Sequence, residues 1–190
     1  MSHPNRKRWT RHELRLLIDE GRPEFERYEL FDGELIDKSG NDRPHVLVVR
    51  SLTILLQQVF GSDFVLSETP INLRPEERST YRPEPDVLVL EKPYKQFALD
   101  DPGPQDILLV VEVADTSLQY DLVNKTRAYA RAAIREYWVA DLVGHRLIVH
   151  RQPFGERYAL VQAFDLGEAV PFPGRDASPI SVDAIFDGIR

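Results

Sequence analysis

One stretch limits what this chain can fold into more than any other: ILLVVEVADTSLQYDLVNKTRAYARAAIREYWVAD, from Ile107 to Asp141. Its opening residues follow a hydrophobic strand pattern, its middle a helical one, and EYWVAD a second strand. A single charge, Glu112, interrupts the first strand. A carboxylate there is costly unless it is paired or binds a ligand. Alternation puts Ile107, Leu109, Val111 and Val113 on one face, and Leu108, Val110, Glu112 and Ala114 on the other. Glu112 thus leaves a face that is otherwise apolar. The plainer alternative is a sheet edge where it reaches water or an arginine.

The helix between the strands carries Lys125. For a helix from about Asp121 to Arg135, steps of three and four align Leu122, Lys125, Tyr129, Ala132 and Ala133. Lys125 then lies on the apolar seam. An ion pair with Asp121 and a stem that snorkels to water would explain the charge. An ammonium aimed at carboxylates would also explain the position.

The rest of the chain supplies more strands and helices. Thr10 and Glu13 have capping-box spacing, which predicts a helix over 11–20 closed by Gly21. In YELFDGELIDK, two alternating segments flank Asp32-Gly33, a two-residue hairpin signal. HVLVVRSLTILLQQVFG reads as a core helix opened near Asp42-Arg43-Pro44 and ended by Gly61. FVLSETPINL reads as a strand bent at Pro70. A strand starts near Asp86 in PEPDVLVLE, and HRLIVHRQ with RYALVQAFDL makes a hairpin divided by Pro153 and Gly155. The tail is irregular apart from a short helix over 182–186. This order predicts a mixed α/β protein with one sheet and helices packed on it. The 190 residues suit a single domain, 1–190, with a basic tail over 1–8.

Asp86 follows Pro85 and opens a strand. Alone it reads as a turn or cap residue. If its strand neighbours the one bearing Glu112, the two carboxylates form a hard oxygen site suited to Mg²⁺, with Mn²⁺ as a substitute. Asp86, Glu112 and Lys125 together suggest metal-assisted phosphodiester hydrolysis, with Asp86 and Glu112 as metal ligands. Glu34 is either a solvent-facing strand residue or an accessory member of the site. His45, on the core helix, is placed to approach a cleft. No P-loop, dinucleotide fingerprint or Ser/His/Asp order competes.

YELFDGELID, PEPDVLVL, VVEVADTSLQYDLVNKTRAYA and IREYWVAD, in that order, resemble the Uma2 family. That family has the restriction-endonuclease-like fold of the PD-(D/E)XK nuclease superfamily. The resemblance implies an α+β domain with a mixed central sheet flanked by helices, plus additional hairpins. It implies that Pro85-Asp86 stands for the PD pair and Glu112 for the second acid. The superfamily lysine would stand at Ala114. In Uma2-like sequences it comes from the following helix, where Lys125 matches. Glu34 matches the acid of the DGEL segment. The resemblance also implies a homodimer. One departure is Ala132-Ala133-Ile134, where the family often has Ala-Gly-Ile; it reads as a packing change.

The expected function is therefore a Mg²⁺-dependent endonuclease acting on DNA. The alternatives are a non-catalytic interaction or regulatory domain, and a metal-dependent phosphohydrolase of small nucleotides. Convergence of Asp86, Glu112 and Lys125 in one cleft separates them. Replacing Glu112 or Lys125 by alanine is expected to abolish cleavage without unfolding, and Asp86 is expected to raise the pKa of Glu112 or the reverse. A formal charge of −7 argues against a general nucleic-acid binder. Local offset could come from Arg6, Lys7, Arg8 and Arg11, or from Arg74, Arg78 and Arg82. There is no apolar run long enough for a membrane span, and no cysteine, which fits the cytoplasm.

Overall fold

The computed structural model describes residues 6–38, 42–97, 100–172 and 179–189. Its centre is β5 (Ile107–Ala114), flanked by β4 (Val87–Leu90) and β6 (Glu136–Asp141). β5 runs antiparallel to β4 and parallel to β6. The parallel pair requires a crossover, and the helical segment between β5 and β6 provides it. With β3 (Val65–Ser67), β7 (Arg146–Phe154) and β8 (Arg157–Phe164), the strands form one mixed six-stranded sheet in the order β3-β4-β5-β6-β7-β8. The predicted mixed sheet with helices around it is what the chain forms.

Two apolar layers cover the sheet. On one face lies α2 (Arg43–Phe60), whose His45, Val48, Leu52, Leu56 and Phe60 form a buried stripe at spacings of three and four. Leu52 and Leu56 are fully buried, each contributing about 1.5–3 kcal/mol. α5 (Val182–Ile185) packs beside it. The other face receives the crossover helix and the hairpin of β1 (Tyr28–Phe31) and β2 (Glu34–Asp37). Asp32 and Gly33 both have positive φ, as the tight two-residue turn requires. A Cβ on Gly33 would stand 3.1 Å from Arg8 Cβ, so the close approach also needs glycine.

The basic N-terminal stretch is docked rather than frayed where it is described. Lys7 pairs with Glu13, Arg8 with Asp32, and the Trp9 amide donates to Gly33 O at 2.7 Å. Residues 1–5 lie outside the described residues. Strand β3 is shorter than expected and gives way at Glu68, which adopts a left-handed φ of 46°. The tail holds a small antiparallel pair, β9 (Ala169–Val170) with β10 (Ile180–Ser181), which two-residue segments could not signal.

The strict alternation expected along β5 fails at its start. Val89 pairs with Leu109 but Leu90 pairs with Ile107, so the register slips past Leu108. That bulge turns Ile107 to the face of Val110 and Ala114, and Leu108 toward the α2 layer. Glu112 keeps its expected face.

The crossover helix also departs from a regular one. It comprises α3 (Leu118–Tyr120), a π-helical turn over Asp121–Lys125, and α4 (Thr126–Arg131). The wide turn is closed by Thr126, whose Oγ1 and amide both donate to Asp121 O. The helix ends before Arg135 because Ala133 adopts φ of 60°. Ala133 N donates to Ala130 O at 2.9 Å and Ile134 N to Tyr129 O at 3.0 Å, a Schellman ending. Ala133 is thus a backbone matter, not the packing change read from the sequence. A left-handed alanine costs roughly 1–2 kcal/mol, partly offset by glycine's greater loss of chain entropy. Ala133→Gly is expected to stabilise the protein by about 0.5–1 kcal/mol and raise Tm by a few degrees. A thermal melt with unchanged or lower Tm would contradict this account.

Candidate active site

β4 and β5 bring the first two acids together. Val87 pairs with Val111, so Asp86 stands opposite Glu112 as the antiparallel register continues. Asp86 is 5% and Glu112 3% exposed. Val113 N donates to Asp86 Oδ2 at 2.7 Å. His45 Nε2 lies 3.3 Å from the same oxygen, placed there by the first turn of α2, which Asp42 caps by accepting from His45 N.

Lys125 joins them from the π turn. Its Nζ lies 3.0 Å from Glu112 Oε1, 3.0 Å from Glu29 Oε1 and 3.7 Å from Asp121 Oδ1. Tyr129 OH donates to Glu112 Oε1 at 2.8 Å, and Ser117 Oγ to Asp121 Oδ2 at 2.7 Å. The structure therefore brings Asp86, Glu112 and Lys125 into one cluster. It does not bring Glu34, which is exposed and 3.9 Å from Arg6. The hairpin register explains the difference. Glu29 pairs with Ile36 and Phe31 with Glu34, so both glutamates share a face. Glu34 sits beside the turn, whereas Glu29 is two residues, or about 7 Å, further along and over the helix. Glu29 is 1% exposed and also accepts from Glu84 N at 3.1 Å.

Sequence reading missed Glu29 because the DGEL pattern drew attention to Glu34. Its signal was the same as that of Glu112: an acid inside a short apolar strand. Asp121, read as a simple helical partner of Lys125, is a full member of the cluster. The π turn lets Asp121 and Lys125 face inward while the chain before them still reaches the cavity.

Charge balance sets the protonation states. Burial raises the Glu112 carboxyl to about 8; Lys125 opposes this, while Asp86, Glu29 and Asp121 add to it. The expected raising of one acid by its neighbour thus falls on Glu112, with burial as the larger cause. Burial also pushes Asp86 up, but His45, Lys125 and the Val113 amide bring it below the ordinary carboxylate range. Asp121 is raised by burial against the pull of Lys125 and Ser117. Burial acts to lower the Lys125 pKa, but the surrounding carboxylates carry it well above normal. One ammonium cannot neutralise all of these acids, so a proton stays on Glu112 near neutral pH.

A cavity of about 180 Å³ opens onto the cluster, and Asp37, Asp42 and Asp115 add further acids to its wall. Among the described residues no three His, Asp or Glu side chains stand at metal-ligand spacing. The donor set nevertheless fits Mg²⁺, which binds through one or two carboxylates and keeps several waters. The bonds given above use Oδ2 of Asp86 and Oε1 of Glu112, and the other oxygen of each carboxylate is not committed to them. His45 Nδ1 is buried without a hydrogen-bond partner among the described residues, on the same cavity wall.

The family model for Uma2, described as "Putative restriction endonuclease", matches residues 12–174. The chain belongs to the Uma2 family. This Uma2 chain also matches the crystal structure of a "putative nuclease belonging to DUF820" from Anabaena variabilis ATCC 29413, with a TM-score of 0.67 over 84% of this chain and 89% of that one. At 15% identity that likeness shows a shared fold. No curated protein matches the chain.

Proposed function

We propose that this Uma2 protein is a Mg²⁺-dependent endonuclease that hydrolyses phosphodiester bonds of DNA. One observation carries the reading: Asp86, Glu112 and Lys125 meet at a cavity with an excess of acid, in a family of restriction-endonuclease type. Asp86 and Glu112 would hold the metal, with Mn²⁺ able to replace Mg²⁺. When bound, the metal supplies charge at the phosphate and lowers the pKa of water.

The chain's own residues do the rest. His45 and the Val113 amide hold Asp86 ionised and oriented. Tyr129 fixes the Glu112 carboxyl. Lys125 lines the cavity among the acids, where its ammonium would stabilise negative charge growing on the phosphate oxygens. A water oxygen attacks phosphorus as the water proton passes to solvent or to a cavity carboxylate, one phosphorus–oxygen ester bond breaks, and the departing oxygen takes up a proton from solvent to leave as an alcohol. Glu29 is a positioning residue: it grips Lys125 from the hairpin side.

The protein is proposed to act as one domain and as a homodimer, the latter from its family likeness, and in the cytoplasm, which a cysteine-free chain suits. Among the described residues no helix is long and apolar enough to cross a membrane.

Single- and double-stranded DNA and RNA, incubated with Mg²⁺ or Mn²⁺, test the reading. Wild type should cut DNA, and Asp86→Asn should lose at least about 100-fold in rate. Cleavage of no substrate by folded wild type would favour a domain that keeps the fold without the chemistry.

A further inference from the structure

A second cavity, of about 500 Å³, lies where α1 (Arg11–Asp19) meets the loop before β4. Two basic segments far apart in sequence converge on it. Arg11 and Arg15 come from one face of α1, Arg78 and Arg82 from the loop. Four arginines line it together with Asp19, Asp100 and Asp101, in a protein whose overall charge is −7; Arg15 lies 3.6 Å from Asp19, and Arg82 also pairs with Glu84 at 2.6 Å.

The arginines are arranged before any ligand arrives. Arg11 Nε donates to Tyr81 O at 2.6 Å and its Nη2 to Ile71 O at 3.4 Å, which turns Nη1 toward Asp101. Asp101 does not satisfy its neighbours: it lies 3.6 Å from Arg11 and 3.7 Å from Arg82, beyond charge-assisted hydrogen-bond length. Arg78 is exposed and has no carboxylate partner among the described residues. Burial and the like charges of Arg82 and Arg78 lower the Arg11 pKa to about 10, against the pull of Asp101.

The cavity is joined to the acidic site by chain. Arg82 pairs with Leu30 of β1, and Glu84 N with the Glu29 carboxylate, so the segment runs from the arginines past Glu29 to Asp86. Four extended residues span at most about 13 Å, and each DNA strand carries a phosphate per roughly 3.4 Å of axis. The backbones of Arg82 and Asp86 are thus within about four phosphate rises of each other.

We propose that the arginine cavity holds a backbone phosphate of the nucleic-acid strand, a few nucleotides from the phosphate presented to Asp86, Glu112 and Lys125. Arg11 and Arg78 grip the phosphate oxygens, and Arg82 ties the grip to the acidic site. This rests on the phosphodiesterase reading above and explains how an acidic protein could take a polyanion.

The test measures binding separately from cleavage. A fluorescent DNA duplex and its single strand are titrated with wild type, Arg78→Ala and the double variant Arg15→Glu/Arg78→Glu, in chelator and at several salt concentrations. Arg15 and Arg78 are exposed, so the variants should fold. Arg78→Ala should make the slope of log affinity against log salt shallower by about 0.7–0.9, and the double variant should bind at least about tenfold more weakly. Unchanged slope and affinity would overturn the proposal while leaving the Asp86→Asn cleavage result to judge the nuclease reading. In a parallel arm, inorganic phosphate is titrated and followed through arginine side-chain NMR signals. Phosphate binding at these arginines with no effect of the variants on DNA would overturn it too, in favour of a free-anion site. Absence of any wild-type DNA binding would overturn the arginine-cavity proposal, with the Asp86→Asn cleavage result again judging the nuclease reading.

Discussion

Replacing Lys125 by methionine is expected to remove cleavage and to destabilise the protein by about 3–5 kcal/mol. The first effect follows from its place in the cavity lining beside the acids; loss of one such stabilising charge typically costs about 10²–10³ in rate. The second follows from burial. Lys125 is 5% exposed and its ammonium lies 3.0 Å from Glu29, 3.0 Å from Glu112 and 3.7 Å from Asp121. Without it those carboxylates are buried with no counter-charge, and they must either take up protons or open the site. The sequence alone pointed to a variant that loses activity without unfolding, and the contacts of Lys125 argue otherwise. The deficit should shrink as pH falls from 8 to 5, because proton uptake by the orphaned acids then stabilises the native variant. Denaturant unfolding at both ends of that range measures this. A variant as stable as wild type at pH 8 would mean that Lys125 does not neutralise the cluster.

Glu112→Gln is expected to separate chemistry from stability. Glutamine keeps the shape and can still accept from Tyr129 and Lys125, so folding should survive. Cleavage should fall by at least about 100-fold, because the proposed metal ligand loses its charge. The pH behaviour has a definite sign. In wild type the Glu112 pKa is about 8 when folded, above the usual glutamate value, so its contribution is fully present below the unfolded value and lost as pH rises through 8. Glutamine has no such proton to lose. The variant should therefore gain stability relative to wild type as pH rises from 5 to 8. Metal binding gives the matching test. A metal must displace the Glu112 proton, so wild-type affinity should rise up to about tenfold per pH unit below 8 and then level off, with proton release on binding. Calorimetry in buffers of different ionisation heat reads that release directly. Its absence would place the metal, or the proton, elsewhere.

Much of this architecture was written in short-range pattern. The apolar runs with strand period, the Asp32-Gly33 turn, the Thr10–Glu13 capping box and the core stripe from His45 to Phe60 each specify local structure through steric preference and burial. They were enough to place Asp86 and Glu112 at strand positions and Lys125 on a buried helical face, and so to name a possible site. What pattern could not carry was anything set by how elements meet. Hairpin docking chose Glu29 over Glu34, because position along a shared face depends on what covers it. The bulge at Leu108 reversed Ile107, because a register slip is decided by the partner strand. The π turn at Asp121–Lys125 and the left-handed Ala133 reflect the fit of the helix between two strands, which no helical period reports. The meeting of Arg11 with Arg78 and Arg82 is likewise long-range. Local sequence determined which side chains would be costly to bury; only the tertiary structure decided which of them share the cost.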